Sequence, residues 1–285
     1  MPHEIALVTD STCDIPAEWR EKYEITVVPV TIIFNGISFR DGVDMTAQQF
    51  YERLSKEPQR PTTSQPTPED FLSAYRKVKE RGAREILAII LSSAMSGTFE
   101  SARMAAAQMD IPVHMFDSQN NSMGLGWQVI AAARVREADG GLEEMLASAR
   151  KVRDHMVYFI SLDTIEYLAS GGRIADAARF INSILKIKPL VFVKPETGTV
   201  GASLPARSRK LAVEDLYREF FKRINVNKPM HITVLHNQAL EEAQELAERV
   251  KNEFHPVELF ISYASPVLGV HTGPLAIALC GYAEE

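Results

Sequence analysis

Leu91-Ser92-Ser93-Ala94-Met95-Ser96-Gly97-Thr98 decides how this chain reads. An apolar run, Ile86 to Leu91, feeds into it, and a helix-like run, Phe99 to Met109, leaves it. Strand, hydroxyl-rich glycine turn and helix together aim free backbone N–H groups at an anion. Ser93, Ser96 and Thr98 add hydroxyl donors, and Gly97 lets the backbone come close to a ligand. No lysine follows the glycine, so the turn is not a Walker-type phosphate loop. Neutral donors of this kind suit one carboxylate or a small phosphate better than a triphosphate. The same residues also suit an ordinary serine N-cap with a tight turn.

Strands and helices alternate on the N-terminal side of that turn. Ile5 to Val8 is a buried strand ending in the polar run Thr9 to Asp14, at the edge where open α/β sheets bind ligands. Pro16 opens a helix to about Tyr23, and Ile25 to Phe34 is a strand region broken by Pro29. Asn35-Gly36 signals a hairpin with Ile37-Ser38-Phe39 returning, and Asp44 or Thr46 caps a helix holding Phe50, Tyr51 and Leu54. Arg60 to Asp70 is a proline-stiffened loop in which Thr62, Thr63, Ser64 and Gln65 are either turn chemistry or a second lip for the Ser96 pocket. Thr67-Pro68-Glu69-Asp70 then starts a helix that ends at Gly82.

On the C-terminal side, Ile111 to Phe116 is a strand with the polar run Asp117 to Ser122 behind it. Helices follow over Trp127–Ala138 and Leu142–His155. The texture changes at Val157–Ile160: a short helix over Leu162–Ala169, a break at Ser170-Gly171-Gly172-Arg173-Ile174, and a helix over 176–185. A strand to Val193 then pairs across a Glu196–Thr199 tip with Val200–Leu204. Helices over 211–224 and 239–252 alternate with strands at His231–His236 and Val257–Ile261. Ser265 to Pro274 is a glycine-rich loop, and Leu275 to Tyr282 is the last strand. This order predicts an α/β protein of two domains: residues 1–156 with a parallel sheet and the anion-binding loops, and residues 157–285 with a mixed sheet.

Composition fits that division. The chain has 285 residues, 46% apolar and 24% charged, with a formal net charge of -6. It has no basic tail or basic-aromatic stripe, which argues against nucleic acid. Neither a signal peptide nor a bilayer-length apolar stretch is visible, so a cytoplasmic location is expected. Cys13 and Cys280 form no metal pattern, and His114, His155, His231, His236 and His255 show no paired metal spacing. No Ser-His-Asp order or nucleophile elbow supports a hydrolase. The remaining polar constellations are Asp10–Asp14, Thr63-Ser64-Gln65, Ser93–Thr98, and Arg207 with Gly269-Val270-His271-Thr272-Gly273. A cleft between domains is where such groups meet. Arg207 is either one charge on a solvated face or an oxyanion clamp, and His271 is either a surface histidine or a proton carrier.

These fragments, in this order, resemble the DegV family of bacterial fatty-acid-binding proteins. The matching stretches are Val8-Thr9-Asp10-Ser11-Thr12, Thr63-Ser64-Gln65-Pro66, Leu91 to Thr98, Asp117-Ser118, Gly171-Gly172-Arg173-Ile174, Lys186-Ile187-Lys188-Pro189, Ala206-Arg207 and His271-Thr272-Gly273-Pro274. The resemblance implies two α/β domains, an apolar tunnel, and a long-chain fatty acid held by its carboxylate between them. It implies that Thr63 and Ser96 bind the carboxylate, helped by Ser64, Ser93 and the Gly97 amide. It further implies an ATP-dependent fatty acid kinase as partner, which makes acyl phosphate for phospholipid synthesis, with Arg207 and His271 meeting the phosphate. On this reading the chain is a non-catalytic lipid-binding subunit with no cofactor or metal, no stable membrane insertion and at most transient membrane contact. The other reading is an enzyme acting on a small carboxylated or phosphorylated metabolite through Asp10, Ser96 and His271. Where the family often has Gly-Pro-Gly, this chain has Gly273-Pro274-Leu275, and the larger side chain is expected to trim the pocket.

Overall fold

The computed structural model describes residues 3–57, 59–173, 187–203 and 205–284. The helix predicted over 176–185, together with Ile174, Lys186 and Leu204, lies outside the described residues. In chain order the first half holds β1 (Ile5–Asp10), α1 (Ala17–Lys22), β2 (Thr26–Val28), β3 (Thr31–Phe34), β4 (Ile37–Arg40), α2 (Ala47–Leu54) and β5 (Thr62–Ser64). It continues with α3 (Pro68–Glu80), β6 (Glu85–Ile90), α4 (Thr98–Ala106), β7 (Val113–Asp117), α5 (Ser122–Glu137) and α6 (Leu142–Asp154). The second half holds β8 (Val157–Ser161), α7 (Glu166–Ser170), β9 (Leu190–Val193), β10 (Val200–Ala202) and α8 (Arg209–Phe221). It ends with β11 (Met230–His236), α9 (Leu240–Phe254), β12 (Glu258–Tyr263), α10 (Pro266–Thr272) and β13 (Ile277–Ala283).

The first sheet is parallel throughout, in the order β2-β1-β6-β7. The second runs β10-β9-β8-β13-β11-β12 and is mixed: β11 and β12 are parallel and the other neighbours antiparallel. The two-domain α/β fold with an N-terminal parallel and a C-terminal mixed sheet is therefore present. Helix α5 sits between the two sheets, touching β1 and β6 on one side and β13 on the other. Every residue from Ser122 to Ala133 is buried, as expected of a largely apolar stretch packed on both sides. Trp127 at its middle packs edge-on against Trp19 and Tyr282 and tilts against Phe260, locking both sheets to one core.

A third, antiparallel sheet, β4-β3-β5, was not anticipated as a separate unit. The predicted break at Pro29 has a larger consequence than a kink. β2 stays in the parallel sheet, and the chain leaves at Pro29 so that β3 can pair with β4 and β5 instead. The Thr62–Ser64 stretch, predicted as loop, is strand β5, with Ile32 opposite Thr63. Threonine and serine tolerate extended backbone, and the pairing strand supplies the ladder that a stiff loop lacks. Local capping signals held: Thr46 and Thr67 each form a capping box, with Gln49 and Asp70.

The Ser265–Pro274 stretch is corrected as well: it contains α10, with Pro266 in its first turn. Its glycines read as loop, but Gly269 is there for packing, since a Cβ would meet the Tyr51 hydroxyl at 2.6 Å and Phe50 at 2.7 Å. Val267, Leu268 and Val270 of α10 join Val30, Ile32, Phe34, Phe50 and Tyr51 in a small separate core. The C-terminal half thus inserts a helix against the N-terminal hairpin.

Candidate functional site

The C-terminal ends of β1 and β6, strand β5, the β9–β10 hairpin and helix α10 converge on a cavity of about 380 Å³. This is the edge of a parallel sheet where strand ends and loops leave room for a ligand. Its walls are mostly aliphatic: Leu91, Ile160, Leu162, Leu168, Val191, Val200 and Leu268 all face it. Its polar lining includes Thr63, Ser64, Gln65, Ser96, Arg173 and His271. Among the described lining residues, Arg173 is the one with a fixed charge.

The Leu91–Thr98 turn builds one lip. Ser92 is buried, and its hydroxyl donates to the Gly198 carbonyl at 2.9 Å, tying the tip of the β9–β10 hairpin to the turn. Ser96 is half-buried; its hydroxyl lies 2.8 Å from that of Thr98 and accepts from the Thr98 amide at 3.2 Å. Gly97 caps α4, whose N-terminus brings partial positive charge to the lip. Strand β5 builds the opposite lip. Thr63 Oγ1 lies 3.1 Å from Nε2 of His271, in the last turn of α10. Next to Thr63, Gln65 lines the cavity and donates to Ser101 at 3.0 Å.

His271 is electrostatically unusual. Burial first, and then the nearby Arg173 charge, lower its pKa to about 4, so the ring is neutral at physiological pH. Arg173 donates from Nε to the Met95 carbonyl at 3.4 Å and from Nη1 to the Gly171 carbonyl at 2.6 Å. It joins the Ser96 turn to the segment after α7 and leaves a guanidinium at the cavity's polar end.

The structure brings Thr63, Ser64, Ser96 and His271 to one cavity, with Gly97 beside it. Two other predicted residues lie elsewhere. Ser93 is exposed, and its hydroxyl is already given to the Asp117 carboxylate, which also accepts from the Ser93 amide at 3.3 Å. Arg207 is exposed, just before the Ser208 N-cap of α8, and does not line the cavity. Leu275 does not trim the pocket: it is 44% exposed, absent from the wall, and sits in left-handed backbone at φ 59°. A glycine at this position would suit that backbone without bearing on the cavity. Sequence reasoning did not assign Arg173 to the site; its signal was the Gly171-Gly172-Arg173 triplet, which read equally well as a helix stop.

Asp10, a candidate on the enzyme reading, is fully buried with both carboxyl oxygens engaged. Its Oδ1 accepts from the Thr12 amide at 3.0 Å and hydroxyl at 2.6 Å, and its Oδ2 from the Leu91 amide at 2.8 Å. Among the described residues no cluster of His, Cys, Asp and Glu could hold a metal ion, and no helix is long and apolar enough to cross a membrane.

Comparison with known proteins extends over the full described length. A family model for uncharacterised proteins of the DegV family matches residues 4–284. A DegV domain-containing protein of Listeria innocua is 31% identical over 281 residues, covering 98% of each chain. A solved DegV family protein of Thermus thermophilus, described by its fatty acid binding, superposes with a TM-score of 0.90 at 31% identity, covering 99% of this chain and 100% of that one. A stearic acid-binding protein of Eubacterium ventriosum superposes with a TM-score of 0.88 at 26% identity, covering 99% of this chain and 98% of that one.

Proposed function

This chain belongs to the DegV family, and on that premise we propose that it binds a long-chain fatty acid and presents the carboxylate to an ATP-dependent fatty acid kinase, which makes the acyl phosphate used for phospholipid synthesis. The observation that carries the reading is the shape and chemistry of one cavity: aliphatic along its walls, with uncharged hydroxyls and a neutral imidazole at its polar end. An acyl tail gains about 0.8 kcal/mol per buried methylene, so the walls supply affinity. A carboxylate left unpaired beside them would be costly, so the hydroxyls of Thr63 and Ser96 must satisfy it. Ser64 lines the same cavity and can help, the Gly97 amide at the N-cap of α4 is a further candidate donor, and the Arg173 guanidinium balances the negative charge. The fatty-acid-binding relatives from Thermus thermophilus and Eubacterium ventriosum support the ligand class.

In this reading the chain is a carrier and the phosphoryl transfer is the kinase's. Residues 1–156 contribute the carboxylate lips and residues 157–285 most of the acyl wall. Arg207, exposed and outside the cavity, faces the kinase or the transferred phosphate rather than the bound acid. Carriage between lipid and a soluble kinase places the protein in the cytoplasm, touching membrane only while loading. The enzyme reading gains no observation, because Asp10 has no free oxygen and His271 bonds Thr63 rather than Ser96.

Solvent extraction of the purified protein followed by mass spectrometry tests the ligand. Co-purified or saturably bound long-chain acid is the expected result. No lipid and no saturable binding of stearate would overturn the reading. Arg207→Ala should keep stearate binding while lowering acyl phosphate formation in a reconstituted kinase assay; loss of stearate binding alone would show Arg207 to be misplaced.

A further inference from the structure

Two adjacent glycines follow α7 for different reasons. Gly172 has φ +71°, which favours glycine, and a Cβ there would meet nothing within 4 Å. Gly171 has φ −77° and ψ −11°, ordinary right-handed helical backbone that any residue adopts. A methyl group on Gly171 would overlap Nδ1 of His271 and come within 3.0 Å of its Cε1. The imidazole edge is therefore what the missing side chain makes room for.

We propose that Gly171 is a positioning residue: it seats His271 with the ring proton on Nε2, donated to Thr63, so that the Thr63 hydroxyl proton is left to donate to an anionic head group in the cavity. The ligand in this statement rests on the fatty-acid reading; the seating of the ring does not.

The hydrogen-bond inventory forces the choice. His271 Nδ1 is buried and has no partner among the described residues. The ring is neutral, so one nitrogen carries the proton and the other a lone pair. An unpaired buried N–H is rarer and costlier than an unpaired acceptor, and a proton on Nδ1 would also point into the Gly171 contact. The proton therefore belongs on Nε2, 3.1 Å from Thr63 Oγ1. Thr63 has a single hydroxyl proton. Were Nε2 to accept it, Thr63 would show only lone pairs to the cavity and repel a carboxylate. With Nε2 as donor, Thr63 accepts from the ring and gives its own proton to the ligand.

The test uses the intact chain with ¹⁵N-labelled histidine and stearate as the probe. In the wild type at neutral pH, the His271 ring should show the Nε2–H tautomer. Gly171→Ala should shift the ring signals and move the ring pKa up towards the ordinary value of about 6.5. It should also weaken stearate binding by about tenfold, the loss of one hydrogen bond to a charged group. Its thermal stability should fall, because the methyl displaces a buried ring and disturbs its bond to Thr63. Gly172→Ala should also lower thermal stability, through its positive φ, but with His271 signals and stearate affinity unchanged. An Nδ1–H ring in the wild type overturns the proposal even if Gly171→Ala does not fold, as does Gly171→Ala with wild-type ring signals and affinity. Failure of the wild type to bind stearate refutes the fatty-acid reading, and the ring tautomer still decides the role of Gly171.

Discussion

Two polar regions lie within a few residues of each other in this fold, and they behave oppositely. At the cavity mouth, Thr63, Ser96 and His271 are neutral: Thr63 and Ser96 line the cavity with their hydroxyls, and His271 bonds Thr63. Behind the β1 loop, Asp10, Asp14 and Asp41 are acidic and turned inward. Asp10 accepts three bonds. Asp14 takes one from the Ser122 hydroxyl at 2.5 Å and one from the Ser265 amide at 2.9 Å. Asp41 takes one from the Ser11 hydroxyl at 2.8 Å. The cluster staples the start of α5 and the start of α10 to β1, while the mouth waits for a partner. A ligand site is marked here by neutral hydroxyls beside empty apolar space, not by the density of polar residues.

The acidic cluster should dominate the pH dependence of stability. Burial raises the pKa of Asp14 to about 7 and of Asp41 to about 8. Both therefore remain protonated when folded at pH values where the unfolded chain has already ionised. Stability with respect to these groups is fully present below about pH 4 and is lost as pH rises through about 7 to 8. Denaturation at a series of pH values should show this fall, and Asp14→Asn should flatten it. An unchanged slope in that variant would mean the carboxylate is not the buried staple described.

Asp10→Ala strands three donors in the interior and should cost about 3 kcal/mol, roughly one per lost bond, in chemical denaturation. If it instead abolished stearate binding at unchanged stability, the two regions would be one functional unit and the comparison would fail. Leu275→Gly should add about 1 kcal/mol of stability, because it relieves left-handed backbone at an exposed leucine outside the cavity wall. A loss of stearate affinity there would place Leu275 back in the pocket.

The smallest effect separates two serines of one turn. Ser96→Ala removes a hydroxyl that lines the cavity and should weaken stearate binding by about fivefold, near 1 kcal/mol. Ser93→Ala should leave binding within about twofold, since its hydroxyl is spent on Asp117, outside the cavity. Equal losses in titrations of both variants would erase the distinction.

Much of the fold was readable where the signal is local. Asn35-Gly36 turns a hairpin, with both residues at positive φ. Thr46 and Thr67 cap helices because a hydroxyl three residues before an amide satisfies an orphan N–H whatever surrounds it. Reading failed where the cause was distant. Thr62-Thr63-Ser64 extends because β3 lies beside it, and α10 tolerates Gly269 because Tyr51 and Phe50 need the room. Ser93 and Ser96 look alike in the chain, and their difference comes from Asp117, which approaches one and not the other.

The sequence alone determined the alternation of elements, the neutral hydroxyl turn after β6 and the division into a parallel and a mixed sheet. These follow from periodicity, capping and backbone preference, which act over a few residues. Tertiary structure decided which donors stay free, which arginine reaches the cavity, and that α10 packs on a hairpin more than two hundred positions away, with Tyr51 of α2 donating to the Ala264 carbonyl just before α10. A hydrogen bond is committed by whatever the fold sets against it, and that neighbour is fixed only when the core closes.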